Sequence, residues 1–195
     1  PLASLDRKLR QHMQVELKDI QKELGITFIY VTHDQEEALT MSDRIAVMND
    51  GQIEQVGPVD DLYTSPETRF VATFIGETNL YEGSVSDDGS TLRTDDGRFT
   101  ISIPDSSHAG ESAAVSVRPE EVILEPNSQT SEYENEWPGT VIDTIYKGSL
   151  KLYRIDVEGK SLEVERQINE ETSNFAEGDD VTVSFPIEAC KVIVE

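Results

Sequence analysis

His33 is the residue best placed to do chemistry. It follows the apolar, β-branched run Thr27-Phe28-Ile29-Tyr30-Val31-Thr32, and a helical pattern starts at once with Gln35-Glu36-Glu37-Ala38. In an open α/β sheet such a junction lies at the carboxyl end of a strand, where ligands bind. A neutral imidazole there can donate one hydrogen bond and accept another near physiological pH. That suits a phosphate oxygen or an attacking water; a strand-end cap is the structural alternative. The acid pairs Glu36-Glu37 and Asp60-Asp61 have the residue types of general acid–base catalysis. Adjacent residues on a helix do not face each other, so all four are expected on solvated surface. His12, in a helical stretch, and His108, in a Ser-rich loop, have no companion at metal-ligand spacing, and no metal site is expected. Cys190 is the only cysteine, which excludes an intrachain disulfide and a cysteine-based zinc site.

The elements that would position His33 are legible around it. Leu5, Leu9, Met13, Leu17, Ile20 and Leu24 recur every three or four residues, a helical stripe expected to pack in the core, with Gly25 placed to end the helix. Thr27–Thr32 reads as a buried strand and Gln35–Met41 as a short helix with Asp34 as its N-cap. Arg44–Asn49 and Gln52–Val56 flank Asp50-Gly51, a strong hairpin signal. Helices are expected from Pro58 through Tyr63 and over Thr68–Ile75, broken by Ser65-Pro66.

After Gly76 the pattern changes to short alternating strands. Val85, Phe99-Ile101-Ile103, Val115-Val117, Tyr153-Ile155-Val157 and Val181-Val183-Phe185 mark inward positions. Turns at Asp88-Gly89, Asp96-Gly97, Glu158-Gly159 and Glu177-Gly178-Asp179 separate them, which suggests a small barrel or sandwich. Trp137 and Tyr146 are expected in its core, and Ser128–Glu136 is expected to be an exposed loop.

Charge narrows the function. Lys and Arg total 16 against 39 Asp and Glu, a formal charge of -23. Such a surface repels DNA and anionic lipid, because phosphate-dominated affinity needs cations. The same dispersed acidity suits concentrated salt, where screening suppresses self-repulsion, and points to a halophilic source. No apolar run reaches the roughly 18 residues of a membrane span, so direct membrane insertion is not expected.

Several segments carry a family resemblance. Val31-Thr32-His33-Asp34-Gln35-Glu36-Glu37-Ala38 resembles the switch-histidine segment of ATP-binding cassette (ABC) transporter ATPases. Pro1-Leu2-Ala3-Ser4-Leu5-Asp6 resembles the end of their Walker B segment running into the D-loop. Asp43 to Gly57 resembles the strand-turn-strand that closes their nucleotide-binding domain, and Phe70-Val71-Ala72-Thr73-Phe74-Ile75-Gly76 the helix leading into the tail of the importer branch. Val117-Arg118-Pro119-Glu120-Glu121, Gly139-Thr140-Val141, Tyr146-Lys147-Gly148-Ser149 and Gly178-Asp179-Asp180-Val181 resemble the OB-like transport-associated (TOBE) tail of carbohydrate- and polyamine-type importers.

The resemblance implies an α/β C-terminal part of a P-loop nucleotide-binding domain over 1–79 and an all-β OB-like tail over 80–195. It implies an ATPase coupled to solute import, with ATP and Mg2+ as cofactors, a second copy of the subunit and transmembrane permease subunits as partners, and the cytoplasmic face of the membrane as location. His33 would contact the γ-phosphate and hold the attacking water. Ser4, Leu5 and Asp6 would form the D-loop that reaches toward the partner's site; an N-cap role for Ser4 and a favourable helix-dipole position for Asp6 explain them as well. Glu77-Thr78-Asn79 resembles the polyamine, iron and sulfate branches more than the sugar branch. The sequence has no G-x-x-x-x-G-K-[ST] loop, no family signature and no Walker B acid pair, and it opens on Pro. A piece of a longer ATPase, inactive alone, is therefore expected. The alternative is a stand-alone regulatory or solute-sensing TOBE module with a dimerisation role. An oligonucleotide-binding OB protein is disfavoured by charge and by the lack of a basic–aromatic groove.

Overall fold

The computed structural model describes residues 7–104, 107–127, 131–168 and 174–194. Its front holds helices α1 (Arg7–Leu24) and α2 (Gln35–Met41), the hairpin β1 (Arg44–Asn49) and β2 (Gln52–Pro58), and helices α3 (Val59–Thr64) and α4 (Arg69–Phe74). The hairpin turns on Asp50 and Gly51, both at positive φ (46° and 79°), as a two-residue turn of right-handed twist requires. Thr68 caps α4 by accepting from the Val71 N–H. Leu62, Val71, Ile75 and Val47 form a small core between these pieces.

Two expectations for the front are corrected. Residues 26–32 form no strand, no described strand pairs with them, and Ile29 and Val31 are each 91% exposed. A strand exists only through its hydrogen-bonded neighbours, and none is supplied here. The α1 stripe is not core either: Leu9, Met13, Ile20 and Leu24 are exposed and Leu17 is only half-buried, with α2 packed against part of the helix. Leu5, its first member, lies outside the described residues. Among the described residues the front therefore shows helices and a hairpin, without a parallel α/β sheet.

The rest of the chain is β, of the OB-like kind expected. β3 (Asn79–Val85), β4 (Thr91–Thr94), β5 (Thr100–Ser102), β6 (Ser112–Val117) and β7 (Ile123–Pro126) are followed by β8 (Asn135–Tyr146), β9 (Leu150–Val157), β10 (Lys160–Gln167), β11 (Asp180–Phe185) and β12 (Lys191–Ile193). They form two five-stranded antiparallel sheets, ordered β12-β6-β3-β4-β5 and β10-β9-β8-β11-β7. Every inward position expected from the alternation is buried, and both sheets contribute to one core.

The sheets repeat one plan. Strands β3 to β6 match β8 to β11 in order, and each set leads through a one-turn 3-10 helix into a last strand. That last strand crosses over: β7 pairs with β11 of the other sheet, and β12 with β6. The repeat is visible in sequence as Asn79-x-Tyr81-x-Gly83-Ser84-Val85 and Asn135-x-Trp137-x-Gly139-Thr140-Val141. Both glycines sit where strands press close. A Cβ on Gly83 would stand 2.1 Å from the Arg93 carbonyl oxygen, and one on Gly139 2.6 Å from Ile155 Cγ2. Both asparagines clamp the opposite sheet. Asn79 accepts from the Glu163 N–H at 2.8 Å and donates to its carbonyl at 2.8 Å. Asn135 does the same to Ser102 at 2.7 and 2.9 Å.

Two further expectations change here. Asn135 and Glu136 are not loop but open β8, paired with Phe185 and Ser184; residues 128–130 lie outside the described set. Their polarity hides a strand because Asn135 spends its amide on Ser102. Tyr146 is 65% exposed at the far end of β8, whereas Trp137 packs on the core between Phe99 and Phe185. Among the described residues no helix is long and apolar enough to cross a membrane, and no cluster of metal-ligating side chains occurs.

Candidate functional site

His33 sits where the segment 26–32 meets α2, with its side chain exposed. The backbone around it is fixed by its neighbours. Asp34 caps α2, its Oδ1 accepting from the Glu37 N–H at 3.3 Å, and the Asp34 N–H donates to Thr32 Oγ1 at 3.0 Å. Glu37, expected at solvated surface, is instead 8% exposed. Its Oε2 accepts from both Tyr30 Oη and Thr32 Oγ1 at 2.9 Å. This correction has a clear cause: in the first turn of a helix, the third residue after the cap turns back over the incoming chain. Glu36, Asp60 and Asp61 are exposed as expected. The result is a braced turn that presents one imidazole outward, able to donate to or accept from an incoming oxygen.

Gln35, the first residue of α2, points the other way. Its Oε1 accepts from the Gly76 N–H at 3.2 Å. Gly76 is at φ 78°, and a Cβ there would meet Tyr63 Cε2 at 3.1 Å, so the position takes no side chain without strain. Beyond it lies Arg118, between the end of β6 and the 3-10 turn Pro119–Glu121, and only 5% exposed. Its Nη1 donates to the carbonyls of Ala72 at 3.0 Å and Glu77 at 2.9 Å, with Gly76 O at 3.5 Å, and Nη2 donates to Tyr63 O at 3.1 Å. The guanidinium also lies 4.2 Å from the centre of the Tyr63 ring, whose hydroxyl donates to Glu120. Burial lowers the Arg118 pKa, while Tyr63 and Glu120 raise it. The carbonyls at the ends of α3 and α4 have no intrahelical partners and carry partial negative charge, which makes them fit acceptors for a buried cation.

His12 is exposed on α1, 3.9 Å from Glu16, and His108 is 3.4 Å from Glu111. Ser4, Leu5 and Asp6 lie outside the described residues. Arg118 and Glu37 are the residues whose importance sequence reading passes over. The signal for Glu37 was present, as an acid three residues after the cap Asp34.

Set beside known proteins, the two parts of the chain point to one class. The TOBE domain model matches residues 115–193, from β6 to the end of β12. Across 99% of its length the chain is 46% identical to the spermidine/putrescine import ATP-binding protein PotA of Ruegeria pomeroyi, covering 52% of that protein. It is 40% identical to the protein of that name in Nitrosomonas eutropha over 100% of this chain and 56% of that one. With PotA 1 of Pseudomonas aeruginosa the identity is 41%, over 100% of this chain and 53% of that one. Among solved structures, the cytoplasmic molybdate-binding protein ModG aligns at 16% identity with a TM-score of 0.48, over 60% of this chain and 96% of that one. The class is that of ABC importer ATP-binding proteins. This chain belongs to it as a C-terminal portion carrying the TOBE tail. It spans about half the length of the curated relatives it matches.

Proposed function

We propose that the protein containing this chain hydrolyses ATP to drive import of a polyamine such as spermidine or putrescine. The observation that carries this is the alignment at 40–46% identity along nearly the whole chain, front and tail alike, with spermidine/putrescine import ATP-binding proteins. A stand-alone regulatory TOBE module is the weaker reading, because the likeness includes the His33 segment and not the tail alone. The functional division falls at residue 79, with 1–79 completing the nucleotide-binding domain and 80–195 forming the regulatory tail. The partners are a second copy of the subunit and transmembrane permease subunits, and the place of work is the cytoplasmic face of the membrane.

The exposed imidazole of His33 fits a phosphate oxygen, and it is this chain's own contribution to a site for ATP and Mg2+. When bound, Mg-ATP supplies the transferable phosphoryl group. His33 donates to or accepts from groups around it, holding a water in line, while Asp34, Thr32 and Glu37 keep the imidazole's backbone still. Phosphoryl transfer depends mainly on such positioning and charge stabilisation. Ser4, Leu5 and Asp6 belong to the D-loop facing the partner copy. The charge of -23 further suggests a source rich in salt, and unfolding on dialysis into low salt would bear on that point.

The test uses the full-length protein assembled with its permease subunits. His33→Ala should lower ATP turnover about 100-fold or more, the scale of losing one positioned transition-state contact, with ATP binding retained. Uptake of labelled spermidine should fall with it. A wild-type complex that hydrolyses no ATP, or an H33A complex that turns over at the wild-type rate, would refute the reading.

A further inference from the structure

We propose that Arg118 and Gln35 form a mechanical link through Gly76 that sets the position of His33 from the β tail, making Arg118 a positioning residue for ATP hydrolysis. The inference rests on the reading of His33 given above. Three observations meet at Gly76. Its N–H is held by Gln35, the first residue of the helix that His33 precedes by two positions. A Cβ placed on it would stand 3.1 Å from the Tyr63 ring, on which the Arg118 guanidinium is stacked. The peptide that follows it ends in the Glu77 carbonyl, which Arg118 grips at 2.9 Å.

Arg118 is part of the tail, at the join between β6 and the turn that launches β7 into the opposite sheet. Its grip spans the ends of α3 and α4 and the connection into β3, so these move with it. Because Gln35 holds the Gly76 N–H while Arg118 holds the Gly76 and Glu77 carbonyls, the connection is pinned from both sides and passes on a displacement of Arg118. A shift of the tail is therefore handed to Gln35 and tips the start of α2. Thr32, Asp34 and Glu37 brace that start as one piece, and His33 moves with it. Anything that strains the tail would in this way change how well His33 meets its phosphate oxygen, without touching the nucleotide.

The experiment compares Gln35→Ala, Arg118→Lys and the double variant in the full-length protein, reading ATPase kinetics together with hydrogen exchange of the α2 amides and the His33 imidazole resonances. Each single change should lower kcat about 3- to 10-fold with the KM for ATP little altered, the range expected for residues that modulate coupling between sites. The double variant should be no worse than the poorer single one, because both break one path. Exchange at Glu37 and Ala38 should rise, and the His33 resonances should shift in R118K. Multiplying losses in the double variant, or R118K leaving α2 exchange and the His33 resonances unchanged, would overturn the link. If R118K fails to fold, Q35A carries the test alone, since Gln35 is half-buried at a helix start that accepts alanine. A wild type that hydrolyses no ATP would count against the ATPase reading only, because exchange and resonances still report whether tail and His33 segment are joined.

Discussion

Asn135→Ala should cost about 2 kcal/mol of stability. Asn135 is 1% exposed and serves Ser102 twice, accepting its N–H at 2.7 Å and donating to its carbonyl at 2.9 Å. Alanine strands the Ser102 N–H and leaves its carbonyl only the weak Cys190 thiol donor at 3.5 Å, and an unpaired buried group costs about 1–3 kcal/mol. Ser102 is only half-buried, so water can reach part of it and each loss belongs near the lower end. In a chain of this size about 2 kcal/mol corresponds to a fall in Tm of roughly 4–8 °C. Asn135→Asp should be worse than alanine, since it removes the donor to the Ser102 carbonyl and places a carboxylate in a buried site. The assay is urea unfolding followed by fluorescence of Trp137, the only tryptophan. Its ring touches Phe99 from one sheet and Phe185 from the other, so it reports on their separation. The equivalent clamp gives a second measurement, with Asn79→Ala expected to lose a similar amount through Glu163. A loss below about 0.5 kcal/mol, typical of a neutral surface change, would refute the idea that these amides tie the halves together.

Gly83→Ala should destabilise by about 1–3 kcal/mol or more, seen as a lowered urea midpoint, because its Cβ would fall 2.1 Å from backbone oxygen that cannot swing away. The Cys190 thiol is buried and its pKa is pushed up to about 12, chiefly by burial, so it should resist iodoacetamide at pH 8 in the native protein and react once urea unfolds it. Asp88 has its pKa held down at about 2 by hydrogen bonds from Ser86 and then Ser90. A depressed carboxylate stabilises the fold above its ordinary pKa of 3.8, and that contribution fades as pH falls toward about 2. An NMR titration of the Asp88 carboxyl should place its midpoint near the lower value, and a midpoint near 3.8 would show that the turn does not hold the charge.

The tail was legible because its information is local. Alternation at Phe99, Ile101 and Ile103, or at Val181, Val183 and Phe185, needs only a period of two, and every such position is buried. The Asp50-Gly51 turn likewise carries its own geometry. Arg118 was not legible as a grip, since its acceptors are the carbonyls of residues 63, 72 and 77, far away along the chain and identical in kind to any others. The repeat around Asn79 and Asn135 was readable in principle, but Leu80 and Glu136, or Glu82 and Pro138, differ enough to mask it. In the front, apolar patterning at α1 and residues 27–32 was read as burial. Patterning states which surface wants a partner, whereas burial also requires that the partner be supplied. His33 was singled out from its junction and from the family resemblance of its segment, and its bracing by Glu37 was missed because a carboxylate beside another looks like surface.

The crossed last strands of the tail bear on its origin. Were each half a separate small protein, neither could complete its own five-stranded sheet, since β12 lies with β6 and β7 lies with β11. Such a protein would assemble as a symmetric pair, each copy lending its final strand to the other, an arrangement known as domain swapping. Joining two copies end to end makes the loan internal, at an effective concentration on the order of mM, and frees assembly from dependence on dilution. The two copies can then diverge, one keeping tyrosine and the other tryptophan at the matching core position, and one acquiring Arg118 where its counterpart has Pro186. The asymmetry that lets one end of the tail hold α3 and α4 is of the kind a joined pair permits and an identical pair forbids.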